Sequence, residues 1–171
     1  MWSTLVNIAR LRGSPADLPA SANNLYKLVL LDLIVSAVAS AQAGQMLLAQ
    51  TVFALGLHLG LIWLILRQFG KPERFVQTAT AWFGVDLLLT LLLLPMLAFI
   101  AQYAGVEPVP ASAQMMVSLL MVISLWMLLA FGHIFRSALE MPLLVGVLIA
   151  LSMLIAQLMI VSLIFGGPTL E

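Results

Sequence analysis

Four segments of the chain are predominantly apolar over the roughly 20 residues that a helix needs to cross a lipid bilayer. They span residues 46–66, 76–100, 113–135 and 143–165. Because no water reaches the hydrocarbon core, each segment must satisfy its own backbone hydrogen bonds as a helix. Of the 171 residues, 63% are hydrophobic and 8% are charged, whereas a soluble domain has about 25% charged residues. The sequence therefore predicts an all-α, polytopic membrane helix bundle.

A fifth segment, residues 25–43, is a weaker candidate because Lys27 and Asp32 interrupt it. An interfacial or re-entrant segment is the alternative for this stretch. The basic residues decide between the two, because Lys and Arg in short connections stay in the cytoplasm. With five spans, all seven basic residues fall on one side, whereas four spans would separate them. We therefore predict a single domain, residues 1–171, with five transmembrane helices, a cytoplasmic N-terminus and an outer C-terminus.

The segment before the first span has the pattern of a short amphipathic helix. Within residues 2–12, Trp2, Leu5, Ile8 and Ala9 share one side, and a glycine, a serine and a proline end the run. Such a helix is typical of a membrane surface. No apolar stretch follows its basic residues directly, as a cleavable signal peptide would require. We therefore predict a retained N-terminal interfacial helix on the cytoplasmic leaflet.

Small residues recur at four-residue spacing in three of the spans, which allows helices to approach closely in lipid. In chain order they are Ser36, Ser40 and Gly44, then Gly56 and Gly60, and then Gly146 and Ala150. We interpret these residues as helix-packing positions. We expect the first and second spans to form a tight hairpin, and a polar residue deep in the fifth span, Gln157, to bond to a neighbouring helix.

Three ionisable side chains lie deep within the predicted spans, away from the helix ends: Asp32, His58 and Asp86. Each costs at least about 2.5 kcal/mol at the centre of a bilayer. Counted along their helices, they lie roughly 10, 12 and 15 Å from the cytoplasmic ends, which places them at a similar depth. They either form one polar cluster that exchanges protons or holds a cation, or they pack separately, with Asp32 bonded to Lys27 or Ser36. We expect Asp32 and Asp86 to converge on the bundle interior.

The connection between the second and third spans combines basic and aromatic residues. These are Arg67, Phe69, Lys71, Arg74 and Phe75. Basic residues in a short connection set the orientation of the protein and contact anionic headgroups, which is sufficient to explain them. Binding of a partner is an additional hypothesis. At the end of the fourth span, His133, Arg136 and Glu140 predict a solvated helix end with an i,i+4 ion pair.

Motifs for catalysis are missing from the sequence. The chain has no cysteine, and it contains no metalloprotease pattern, serine nucleophile elbow or phosphate loop. We therefore predict no catalytic residue, no metal centre, no cofactor and no enzyme activity. A net charge of zero argues against a nucleic-acid partner. The expected partners are the lipid bilayer and either a second copy, in a homo-oligomer, or other membrane proteins.

The stretch from Arg74 to Asp86, RFVQTATAWFGVD, together with five spans and a short outer C-terminus, resembles the small bacterial members of the Yip1-like membrane proteins. The resemblance implies a bacterial inner-membrane protein that acts by association rather than catalysis. Our first hypothesis is accordingly a scaffold or accessory subunit that works through helix–helix association. The rival is a small proton- or cation-coupled transporter or channel that uses Asp32, His58 and Asp86.

Overall fold

The computed structural model of the chain describes residues 1–42, 48–105 and 107–166. Within these ranges the chain forms six α-helices: α1 (Trp2–Ala9), α2 (Ala22–Gln42), α3 (Leu48–Gln68), α4 (Phe75–Ala101), α5 (Ala111–Leu139) and α6 (Leu143–Phe165). Helices α2 to α6 are each long and apolar enough to cross a membrane. The prediction of an all-α bundle with five transmembrane helices and a short N-terminal helix is therefore confirmed.

The N-terminal segment, the α3–α4 connection and the α5–α6 connection meet at one end of the bundle. Lys71 and Arg74 of the α3–α4 connection form ion pairs with Glu140, which follows α5. In the first turn of α4, Gln77 donates hydrogen bonds to two backbone carbonyls of the N-terminal segment. We call this the charged end of the bundle and the opposite one the far end. The end of α2, the start of α3, the end of α4 and the start of α5 lie at the far end.

The end of α5 differs from the sequence prediction at Glu140. This residue has a φ of 59° and leaves the helix in the left-handed conformation, and Pro142 then precedes α6. Because the helix ends at Leu139, the i,i+4 spacing that would join Arg136 to Glu140 is lost. The predicted ion pair between them is therefore wrong, and the Glu140 carboxylate instead binds the two basic residues of the α3–α4 connection.

Helices α5 and α6 approach each other closely through two glycines. A Cβ atom added to Gly146 would lie 2.2 Å from the carbonyl oxygen of Gly132, so only glycine fits at this position. One turn further along α6, Ala150 is fully buried. Gly146 and Ala150 thus occupy helix-packing positions, because their small side chains let the two backbones touch.

The half of the bundle nearest the charged end has an aromatic core. Trp82 of α4 stacks on Phe131 of α5, with ring centroids 3.8 Å apart and planes inclined by 10°. Phe135 contacts the same indole at 5.6 Å, and all three side chains are almost completely buried. Burial of large aromatic rings in stacked or inclined contacts stabilises the packing of α4 on α5.

The short helix α1 packs into the bundle against α4 and α5. Leu5 and Ile8 are fully buried, and a Cβ atom at Gly84 would lie only 2.5 Å from Leu5 Cδ2. Gly84 is about 13 Å along α4 from its first residue, Phe75. Leu5 and Ile8 of the apolar side predicted from the sequence are therefore covered by protein. We call residues 1–18 the N-terminal arm.

Side chains of α5 satisfy backbone carbonyls of the N-terminal arm. Trp126 Nε1 donates to the carbonyl of Ala9 at 2.9 Å, and His133 Nε2 donates to the carbonyl of Gly13 at 2.8 Å. His133 is almost fully buried by this contact, so its predicted place on a solvated helix end is wrong. Both bonds supply a donor to carbonyls at and beyond the end of α1, where a helix leaves its last carbonyls without an intrahelical donor.

Candidate functional site

Three helices bring Asp32, His58 and Asp86 together at one level of the bundle. They belong to α2, α3 and α4, and all three side chains line the same cavity. Measured along their helices, they lie about 15, 15 and 17 Å from the charged end. This level is close to the middle of each span, which makes the site an intramembrane one.

Asp32 and Asp86 are the two acidic members of this group and contact each other. Their carboxyl groups are within hydrogen-bonding reach of each other. Asp32 is 0% exposed, and neither of its carboxylate oxygens has a hydrogen-bond donor among the described residues. Lys27 and Ser36 are therefore not its partners, which removes the alternative of a local bond. Two carboxylate anions in such contact repel each other. The repulsion is relieved when a proton or a cation lies between them.

His58 faces the cavity and rests on aromatic residues of α4. Its ring centroid lies 5.5 Å from that of Trp82 and 6.4 Å from that of Phe83, whose plane is nearly perpendicular. The buried Nε2 atom has no hydrogen-bond partner within the described part of the chain. An imidazole held in this way can accept or donate a proton at the cavity, because one ring nitrogen stays uncommitted.

The cavity has a volume of about 400 Å³ and is bounded by α2, α3, α4 and α6. Its polar lining comes from Asp32, Ser36, Ser40, Gln50, Thr51, His58, Asp86 and Gln157. Its apolar lining comes from Ala54, Leu55, Leu154, Leu158 and Val161. From Asp32 to Ser40 the cavity extends about 12 Å along α2. It therefore reaches from the middle of the bundle toward the far end.

A layer of apolar side chains closes the cavity toward the charged end. Four residues before Asp32 is Leu28, four residues before Asp86 is Trp82, and Ile62 is four residues beyond His58 in the direction of the charged end. These three apolar side chains are almost completely buried. Because residues four apart lie one above the other on a helix, each polar residue stands directly over an apolar one. The polar cavity consequently extends from these residues toward the far end and is closed toward the charged end.

Several residues predicted to pack helices have other surroundings. Ser36 and Ser40 line the cavity, and Gly44 lies outside the described residues. Gly56 and Gly60 are exposed, with nothing within 4 Å of an added Cβ atom. The expected tight hairpin of α2 and α3 is therefore wrong for this pair of glycines. The reason is that α2 packs chiefly on α4, where Asp32 meets Asp86, and not on the glycine side of α3.

Gln50 and Thr51 belong to the site although sequence reasoning missed them. Both are polar residues near the start of α3 and line the part of the cavity nearest the far end. The side-chain oxygen of Gln157 is buried and has no donor in the described structure, so the expected bond to a neighbouring helix is not formed. The usable signal was the occurrence of polar side chains within apolar spans, which is costly in lipid.

The basic and aromatic residues at the charged end divide into two groups. Lys71 and Arg74 bind Glu140 and thereby lower the pKa of the Glu140 carboxyl group, with the hydrogen bond from Lys71 as the largest cause. The guanidinium of Arg67 lies 4.9 Å over the ring of Trp63. Phe69 is exposed, and the last residue of the group, Phe75, begins α4. Lys71 and Arg74 thus tie the α3–α4 connection to the end of α5.

Among the described residues, no group of three or more histidines, aspartates or glutamates is placed to hold a metal ion. Comparisons of the chain with protein-family models, curated proteins and solved structures find no match. The resemblance to the Yip1-like group therefore stays a prediction. The functional interpretation depends on the geometry of the polar cavity.

Proposed function

We propose that this membrane protein is a small proton- or cation-coupled transporter whose coupling site is the Asp32–Asp86 pair, with His58 beside it. The observation that carries this proposal is a fully buried carboxyl group without a donor, at the end of a cavity of about 400 Å³. Ionisable groups at this depth are expensive and typically belong to ion or proton pathways.

A purely structural role accounts poorly for these side chains. Polar residues that hold transmembrane helices together form hydrogen bonds across the helix interface. Here the two oxygens of Asp32, His58 Nε2 and Gln157 Oε1 are buried without partners in the described structure. Leaving a buried polar group unpaired costs about 1–3 kcal/mol. A ligand or proton that binds in the cavity would recover part of this cost.

The one-sided cavity fits alternating access to a site near the bilayer centre, where transporters place their substrate and coupling ions. The polar lining leads toward the far end, and the layer of Leu28, Ile62 and Trp82 separates the site from the charged end. In this proposal the structure corresponds to the state that faces the far end. Transport then requires α4 to move relative to α5, because the Trp82–Phe131 stack closes the other path.

Flux through proteoliposomes tests this function. The protein is reconstituted with an internal pH-sensitive dye, and gradients of sodium, potassium or propylammonium chloride are imposed. We expect at least one gradient to move protons faster than in protein-free vesicles. Asp32→Asn and Asp86→Asn should reduce this component at least tenfold, whereas Glu73→Gln, an exposed carboxylate at the charged end, should retain it. Wild-type vesicles that behave like those with Asp86→Asn would contradict the proposal.

Self-association is a second candidate function, and the outward position of Gly56 and Gly60 favours it. Two exposed glycines one turn apart on α3 allow another helix to approach closely in lipid. This arrangement suits a scaffold or a homo-oligomer. Substitution of both glycines by leucine should lower the oligomer size seen by light scattering in detergent. An unchanged size, or a monomeric wild-type protein, would exclude this surface.

A further inference from the structure

The charge of the cavity lining selects for a cation. Two carboxyl groups line it, and no lysine or arginine is among its lining residues. His58 is the one other ionisable group in the lining. The unpaired acceptors include both oxygens of Asp32 and the side-chain oxygen of Gln157. A ligand that matches them must supply hydrogen-bond donors, and an ammonium group supplies three donors and no acceptor.

The spacing of the polar groups does not suit a calcium ion held by protein oxygens alone. Ser36 and Ser40 lie about 6 and 12 Å along α2 from Asp32, so their hydroxyl groups are spread along the cavity. A calcium ion needs about six to eight oxygens gathered within roughly 2.6 Å. Within the described ranges, no set of three acidic or histidine side chains is placed for a metal. The lining is extended, which fits an extended ligand.

The two walls of the cavity differ in polarity. The α2 side presents Ser36 and Ser40 beside Asp32, whereas three of the four lining residues of α6 are apolar, namely Leu154, Leu158 and Val161, and the fourth is Gln157. A cavity of about 400 Å³ falls within the range of roughly 300–1,000 Å³ for small-molecule sites and far exceeds the roughly 30 Å³ of one water molecule. The space therefore accommodates a ligand with an apolar body alongside its charged group.

We infer that the cavity binds a protonated primary amine, with the ammonium group against Asp32 and Asp86 and the apolar body against α6. This inference rests on the proposed function, because it names the substrate class of the same site. A cation that enters the pair replaces the proton between the two carboxyl groups, so one positive charge enters and one proton leaves. The protein is then an amine–proton exchanger.

Calorimetry on the purified protein in detergent tests amine binding without any need for transport. The probes are ethylammonium, hexylammonium and, as the uncharged control, hexanol. We expect hexylammonium to bind at least tenfold more tightly than ethylammonium, because the longer chain buries more apolar surface. Hexanol should show no saturable binding. Titrations in two buffers with different ionisation enthalpies should show release of about one proton per amine bound.

Two variants separate the carboxyl pair from the apolar part of the cavity. Asp32→Asn keeps the side-chain volume and should abolish both amine binding and proton release. Ser36→Leu keeps both carboxyl groups but fills space one turn from Asp32, so it should weaken hexylammonium binding at least tenfold and affect ethylammonium much less. Glu73→Gln serves as the matched control and should bind like the wild type. Ser36→Leu also keeps the test decisive if Asp32→Asn fails to fold.

Equal binding of hexanol and hexylammonium, or binding that both variants leave unchanged, would overturn the inference. In a second outcome, sodium or potassium drives a proton flux that is lost in Asp86→Asn while no amine binds. This result would overturn the amine inference and leave the proposed transport function intact. The absence of both proton flux and amine binding would overturn the inference and the proposed function. Amine binding together with amine-driven proton flux would support both.

Discussion

Asp32 and Asp86 lie on two helices that pack closely against each other, α2 and α4, and their carboxyl groups are within hydrogen-bonding reach. Neither oxygen of Asp32 has a donor in the described structure. Two acceptors in contact without a donor form a stable pair only when a proton or a cation joins them. The central claim of our interpretation is that these two residues act as one site.

The N-terminal arm should open when its hydrogen bond to Trp126 is removed. Trp126→Phe keeps an aromatic ring but loses the donor to the Ala9 carbonyl. One hydrogen bond contributes about 1 kcal/mol net, so the open fraction should rise about fivefold. The chain has no cysteine, so the labelling rate of a single cysteine at buried Ile8 reports the opening. Equal labelling rates with tryptophan and phenylalanine at position 126 would show that this bond does not hold the arm.

A cysteine at Trp2, which is exposed, controls for changes in reagent access. Its labelling should be fast and should not respond to Trp126→Phe.

The arm contacts Gly84, which lies about 200° around α4 from Asp86. The arm and the cavity therefore occupy opposite faces of the same helix.

Alanine substitutions at two glycines should change stability in opposite directions. Gly146→Ala places a Cβ atom 2.2 Å from the backbone oxygen of Gly132, and overpacking of this kind costs about 1–3 kcal/mol. Gly60→Ala meets nothing within 4 Å and should gain up to about 1 kcal/mol from helix propensity. Thermal unfolding in detergent measures both. No loss for Gly146→Ala, or a loss for Gly60→Ala as large as that for Gly146→Ala, would contradict the described packing.

The sequence alone was sufficient to predict the number of helices long enough to span a membrane, because the required length of an apolar segment follows directly from the thickness of the bilayer. It also placed Asp32, His58 and Asp86 at one depth, since the helical rise per residue is constant. It did not show which way each small residue faces. Gly56 and Gly146 have similar four-residue patterns, yet one is exposed and the other touches a neighbouring backbone, and this depends on which helices become neighbours.

The contacts of the N-terminal arm were likewise beyond sequence reasoning. The pattern of Leu5 and Ile8 predicts an apolar side but does not distinguish lipid from protein as the surface that covers it. Sequence reasoning also could not identify the ion-pair partners of Glu140, because Lys71 and Arg74 are distant from it in sequence. Contacts of this kind depend on the assembled bundle.

The ion pairs of Glu140 should make stability depend on pH. Lys71 and Arg74 lower the pKa of the Glu140 carboxyl group in the folded protein. The stabilisation is therefore fully present above the ordinary glutamate pKa of about 4.3, and it is lost as the pH falls through the lower pKa of the folded state. Glu140→Gln should remove this component of the pH dependence, whereas Glu73→Gln should retain it. Because Glu140 is exposed, salt should weaken the effect.

The orientation in the membrane should follow the basic residues. Arg67, Lys71 and Arg74 lie at the charged end, which we predict to face the cytoplasm. Single cysteines at Gln68 and Glu107 should react with an impermeant reagent from opposite sides, with Gln68 on the cytoplasmic side. A cysteine at Asp17 should behave like the one at Gln68. Labelling of positions 17 and 107 from the same side would rule out the five-span topology.

A double-mutant cycle on the carboxyl pair tests the central claim most directly. The unfolding free energies of the wild type, Asp32→Asn, Asp86→Asn and the double variant are compared in detergent. Since groups that share a proton or a cation are coupled, we expect an interaction energy of about 0.5–3 kcal/mol between the two substitutions. Additive effects, within about 0.5 kcal/mol, would show that Asp32 and Asp86 act separately and would contradict a shared site.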